Sequence, residues 1–443
     1  MWKACKWLAV FVCWACSLAA QPGTIVILHA RIIDGRGGPV IPDGTVLIRG
    51  KRIEAVGATS TVAVPAGAQR IDAAGKTVMP GLADMHVHLV GGWDGETTDM
   101  LGFQRYLNAL LYAGVTTVLD TGNVQPYILQ MRQEVAAGRL QGPRIYCAGA
   151  LIDGPDPIWP ELSITVSSIS QIPALVQRQK SLGVDVLKGY VGLSVPEVAR
   201  LAAEAKKVGL TVVVDQWTRN GSTDLMNAGI AGFAHLPYYE LTDDAIELAR
   251  TKQISFITTI AVAESHTLRR FEHMDFLSNP LIADTTPPWF LEDLRAFVSR
   301  PDPRRTDAYR TTRLQWLQAR QANVKKLWKA GAMVIAGTDA AYPGDFQGEG
   351  IHHELELLVE SGLTPLEAIS SATRNASRLM NASDWGTLEP GKLADLLVIN
   401  GKPDQNIQET HNVEMVFKAG TLLDRAQLKF NPARDPGFRV VSH

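Results

Sequence analysis

The chain has 443 residues, 46% hydrophobic and 20% charged, with a formal charge of −2. That is ordinary globular composition, long enough for one large or two ordinary domains with a sizeable core. Acid and base nearly balance, which leaves no electrostatic footprint for nucleic acid.

Residues 1–20 stand apart. Lys3 and Lys6 precede an apolar run from Trp7 to Cys16, followed by Ser17, Ala19 and Ala20. This is the order of a secretory signal peptide. The run is too short to span a bilayer. Cys13-Trp14-Ala15 ahead of Cys16 is a poor context for lipid attachment. Export without a membrane anchor is therefore expected, into a periplasm or the medium. Cleavage leaves 41 basic against 45 acidic residues and Cys147 as the remaining cysteine, so no intrachain disulfide is expected.

From Thr24 to Gln69 short β-rich runs alternate with Gly and Asp-Gly turns, as at Asp34-Gly35 and Asp43-Gly44. Ala394–Ile399 and Val413–Phe417 repeat the style. Residues 21–79 and 386–432 are thus expected to share a small composite β-sandwich. Between them, over 80–385, short apolar strands alternate with helical segments, the rhythm of βα units on a parallel sheet. Eight strands are predicted. They end at His86 and His88, then at Asp120, Ala148, Lys188, Asp215, His235, Thr259 and Asp339. Ser194-Val195-Pro196-Glu197 and Thr364-Pro365-Leu366-Glu367 read as capping boxes that start helices. The fold class is α/β, a (β/α)8 TIM-type barrel whose site lies at the C-terminal strand ends. Residues 264–323 exceed a normal connection and read as a helical insertion over the mouth.

Side chains two apart on a strand share a face. His86 and His88 therefore present two imidazoles to one space, half of a site for zinc or a similar divalent metal. Lys188, Asp215, His235 and Asp339 end other strands at the same mouth. Each has a bland reading: His235 as a core histidine, Lys188 paired with a carboxylate, Asp339 capping a turn. Their joint placement fits a site better than stability. Tyr190 and Trp217, two residues past Lys188 and Asp215, are candidate substrate-binding residues, with packing as the plainer role. His266 and His273 fall in the insertion and are expected to be solvated.

The segments PGLADMHVHL, AGVTTVLDTG, VDVLKGY, GFAHL, GTDA and the tail HHELELLVESGLTPLEAISSATRNASRLM with GTLEPGKLADLLVI resemble the amidohydrolase superfamily, in particular its imidazolonepropionase-like and prolidase-like metal-dependent hydrolases. The resemblance covers almost the whole mature chain. It implies that His86 and His88 bind a first metal with Asp339. Lys188 matches a lysine that two-metal members carbamylate, and His235 matches a ligand of the second metal. Asp339 also matches the general base. His352 matches the histidine of the family's His-x-Glu-Leu segment, which leaves substrate contact or support of the ligands open.

One departure stands out. Where the family carries a histidine at the end of strand five, this chain has Asp215 in Val214-Asp215-Gln216-Trp217. Aspartate is a competent ligand, but it reaches roughly 1 Å less far than an imidazole, and metal–ligand distances tolerate about 0.2 Å. One firm metal, zinc for preference, and an altered second site are expected. The reading is an exported hydrolase of an amide-type bond in a small molecule: a dipeptide, an N-acyl amino acid or a cyclic amide. The alternatives are a catalytically impaired barrel that binds small molecules, or a hydrolase of a lactone, ester or organophosphate. Self-association is left open.

Overall fold

A computed structural model describes residues 23–435, apart from 93, 95–96 and 302–305. The expected signal peptide lies outside the described residues.

Strands from both ends of the chain join one mixed sheet. Thr77–Pro80 lies between Thr24–Ile32, which it pairs in parallel, and Leu396–Ile399, which it pairs antiparallel. Ile41–Arg49 and Arg52–Ala58 extend one side, and Val413–Lys418 and Thr421–Leu422 the other. Val46, Ile48, Val78, Leu396, Val398 and Phe417 bury its apolar face.

The predicted parallel strands appear as Leu82–Val87, Val115–Asp120, Arg144–Cys147, Val186–Gly189, Thr211–Asp215, Gly232–Ala234, Ser255–Ile257 and Met333–Ile335, here numbered first to eighth. The first three form one parallel sheet. The other five form a second, which Leu151–Asp153 and Ser163–Thr165 extend. Hydrogen bonds cross both gaps between these sheets. Asp185 N donates to Cys147 O at 2.9 Å on one side. On the other, Met85 N donates to Ala336 O at 3.2 Å and His88 N to Ala340 O at 2.9 Å.

The inner faces supply one buried cluster with a contribution from near every strand: Met85, Leu119, Ala148, Val186, Val213, Ala234, Ile257 and Ile335. Trp385, 2% exposed, closes it at the N-terminal end of the strands. The outer faces, among them Leu187, Val212, Phe233, Phe256 and Val334, pack on helix residues such as Leu110, Leu201 and Leu355. Both capping boxes form, at Ser194 and Thr364. The insertion is helical, with Pro288–Ser299 as one of its helices, and its own apolar cluster gathers Phe271, Leu277, Phe290 and Leu294. Its last helix, Asp307–Ala330, runs on to the eighth strand and ends at Gly331, whose φ of 78° closes the turn.

Candidate metal centre

The six ionisable residues expected at the strand mouths come together. His86 Nε2 and His88 Nε2 lie 3.3 and 3.1 Å from the same oxygen of Asp339, Oδ1. Candidate ligand atoms of these three residues all fall within 4.8 Å of one another. Lys188 Nζ and His235 Nε2 lie 3.3 and 3.2 Å from Asp215 Oδ2. Lys188 Nζ is also 3.5 Å from His86 Nε2, and His235 Nε2 is 3.9 Å from Asp339 Oδ2.

Local chain geometry explains the convergence. Ala83 and Met85 point into the interior cluster, whereas Val87 packs in the outer one. The register shift between Asp84 and Val87 permits this reversal, as a bulge re-aims side chains beside a site. His86 and His88 thereby turn to the mouth. Buried Asp84 fixes the reversal by accepting hydrogen bonds from His86 N at 3.2 Å, Thr338 N at 3.0 Å and Thr338 Oγ1 at 2.7 Å. His235 and Asp339 leave their strands at φ of 74° and 75°. That left-handed conformation is enriched for His and Asp and uncommon for other side chains.

Tautomers follow from the hydrogen bonds. His88 Nδ1 donates to Gly122 O at 2.7 Å, and His235 Nδ1 lies 2.7 Å from Thr259 Oγ1. With Nδ1 so engaged, Nε2 of His88 is the nitrogen that faces the centre; against burial, Asp339 raises the His88 pKa, and a metal would take the place of the Nε2 proton. Burial, aided by the neighbouring Lys188 charge, holds His86 well below the usual histidine pKa, as a neutral imidazole. Burial alone would raise Asp339, but hydrogen bonds from Nε2 of His86 and of His88, with His235 nearby, hold it well below the carboxylate range. Asp215 is likewise held down against burial by His235 and Lys188. Two neutral-capable imidazoles and one carboxylate facing one point suit a zinc-type cation.

A cavity of about 220 Å³ opens over this centre, walled by Tyr190 and Trp217 as well as by Trp159, His266 and Tyr342. A larger hollow elsewhere, of about 970 Å³ near Arg374 and Arg378, is lined by no imidazole or carboxylate.

Two expectations need correction. His352 does not reach substrate. It is fully buried, its Nε2 lies 2.8 Å from Ala113 O, and its ring packs on His411 at 5.0 Å, on the helix-facing side of Glu349–Glu360. His266 is not a solvated residue of the insertion. Its ring lies between Trp217 and Tyr342, at 5.2 and 4.9 Å, and it lines the cavity. His273 is exposed, as expected.

The residue that serves the site from that tail motif is Glu354. Its carboxylate accepts from Thr258 Oγ1, from Ile260 N at 3.1 Å and from Ala261 N at 2.7 Å. These residues flank Thr259, the partner of His235. Burial pushes Glu354 up to about 7. Its folded state thus holds a proton that the unfolded chain has released above pH 4.5 or so. The associated stability is complete below that pH and is lost as pH rises through 7. Glu354→Gln is expected to remove a slope of up to about 1.4 kcal/mol per pH unit across this window. Urea unfolding at several pH values would test it; wild-type and variant curves running parallel would count against the assignment.

The profile of the Amidohydrolase family matches residues 77–423. The chain belongs to this family. This amidohydrolase is therefore an enzyme, a hydrolase of carbon–nitrogen bonds in a family that works with bound metal. It is 23% identical over 416 residues to "Adenine deaminase 3" of Rhizobium meliloti, covering 92% of this chain but 59% of that longer relative. It is 25% identical to "Imidazolonepropionase" of Deinococcus radiodurans, over 87% of this chain and 93% of the relative. Among solved structures, a Xaa-Pro dipeptidase with bound methionine superposes with a TM-score of 0.73 at 22% identity, covering 90% of this chain and 99% of the other, and so shares the fold.

Proposed function

We propose that this amidohydrolase is exported and hydrolyses an amide-type bond in a small molecule, on a (β/α)8 barrel that the strand-to-strand hydrogen bonds and the eight-sided interior cluster both support. The observation that carries the chemistry is the meeting of His86, His88 and Asp339 below one cavity. These three would hold a divalent cation, with zinc the expected one. When bound, such a cation acidifies water and polarises a carbonyl.

The chain's own groups do the rest. Asp339, which lines the cavity, takes a proton from the attacking water and returns it to the leaving nitrogen. His235, 3.9 Å from Asp339 Oδ2, steadies the carboxylate while it changes charge. Trp217 and Tyr190 wall the cavity and limit access of bulk water.

The place of a second ion is taken differently. Lys188 and Asp215, both 1% exposed, pair at 3.3 Å. This ion pair occupies the place where a carbamylated lysine and a histidine would otherwise serve another metal. One tightly held equivalent is therefore expected. Metal analysis that finds two, unchanged in Asp215→Ala, would overturn this part.

The whole reading is tested by adding zinc or manganese to stripped protein and assaying amides beside lactones and organophosphates. Amide turnover that needs the metal supports it. Turnover of lactones or phosphotriesters alone, or ligand binding without turnover under any metal, would instead favour the alternatives. For export, mass spectrometry of the secreted protein should find a mature N-terminus near residue 21.

A further inference from the structure

The amide-hydrolase reading leaves open what flanks the scissile bond, and the cavity wall bears on it. Away from the metal-facing residues the wall is largely apolar, with Leu151, Ile158, Trp159, Leu162 and Val262, and its polar groups, among them Thr97 and Thr98, are uncharged. Among the described residues, Lys188 is the only lysine or arginine that lines it, and Asp215 already engages that ammonium. Two arginines on adjacent segments are engaged by backbone carbonyls. Arg219 donates to Tyr190 O at 3.0 Å and to Leu193 O. Arg320 donates to Leu236 O at 3.1 Å and to Trp217 O at 3.3 Å, and its guanidinium lies 4.4 Å from the Trp217 ring centre.

A carboxylate on either side of the scissile bond would leave water for an apolar wall. On that wall it would meet no lysine or arginine free to pair with it. Buried charges are tolerated when paired with an opposite charge as well as hydrogen-bonded, and this wall supplies no free opposite charge. His266 is the polar ring on the far wall, between Trp217 and Tyr342. Burial, aided by the charges of Arg313 and Arg320, lowers its pKa to about 3, so it is a neutral hydrogen-bonding group there.

We infer that the substrates are uncharged carboxamides with an aromatic or aliphatic substituent, and that the cavity rejects amides that carry a carboxylate. This rests on the amide-hydrolase reading and narrows it, setting aside dipeptides and N-acyl amino acids. The reaction balances simply. Water gives its oxygen to the acyl carbon and a proton to the nitrogen, the carbon–nitrogen bond breaks, and a carboxylic acid and an amine leave.

Matched pairs test it on zinc-loaded protein. N-acetyl-2-phenylethylamine and N-acetylphenylalanine differ by a carboxylate on the amine side. Butyranilide and succinanilate differ by one on the acyl side. The uncharged member of each pair is expected to have a kcat/KM about 100-fold higher, the scale on which a site discriminates through unmatched buried polar groups. Equal or reversed values in both pairs overturn the inference.

If no amide is turned over with zinc or manganese, the hydrolase reading fails by itself. Calorimetric binding of the same pairs then decides the substrate class: tighter binding of the uncharged member, by about tenfold or more, supports it, and equal or weaker binding overturns it. Ile158 is 59% exposed at the rim and tolerates a long polar side chain. Ile158→Arg should shrink the preference by about tenfold. An unchanged ratio would refute the wall as its source.

Discussion

Asp339→Asn is expected to lower kcat/KM by about 100- to 10,000-fold, the range for loss of a general base. The substitution keeps the volume of the side chain. It also suits the backbone, because φ at 339 is 75° and Asn, like Asp, accepts that region. What it removes is the negative charge within 3.3 Å of both His86 and His88 and the basicity of the carboxylate. Activity and metal content should be measured on the same preparation. Loss of activity with metal retained identifies the proton-transfer role. Loss of both identifies the ligand role as dominant. Activity within about tenfold of wild type with metal in place would remove Asp339 from the mechanism.

Asp215→Ala is expected to destabilise the metal-free fold by about 3–5 kcal/mol, the cost of breaking a buried ion pair from one side. Lys188 would lose its carboxylate at 1% exposure, and His235 would lose the partner at 3.2 Å. The double variant Asp215→Ala with Lys188→Met should recover most of this loss, because removing both charges leaves no uncompensated ion. Denaturant titration of the four proteins completes the cycle. Losses that simply add would show that the two groups are not coupled.

The strands were legible because each is a short apolar run closed by turn residues, and all eight fall within a few residues of their expected positions. The mouth residues were legible because ionisable groups end those runs. The bulge before His88 was not, since nothing in Asp84-Met85-His86-Val87 signals a register shift. It restores, by a different route, the shared face that simple alternation predicts for His86 and His88. His266 and Tyr342 were missed because they reach the cavity from an insertion and a loop, where spacing carries no code for direction. In the tail motif, helical spacing puts His352 and Glu354 on different faces. Only contact with the Thr258–Ala261 turn shows that the carboxylate, rather than the imidazole, serves the site.

The sheet shared by the two chain ends has a consequence for biogenesis. Thr77–Pro80 gains its second neighbour only from Leu396–Ile399, more than 300 residues later in the sequence. A nascent chain on the ribosome therefore cannot complete this sheet until synthesis is almost finished. Such late, long-range pairing slows folding. It also leaves an early strand edge unpaired while the remainder is still being made.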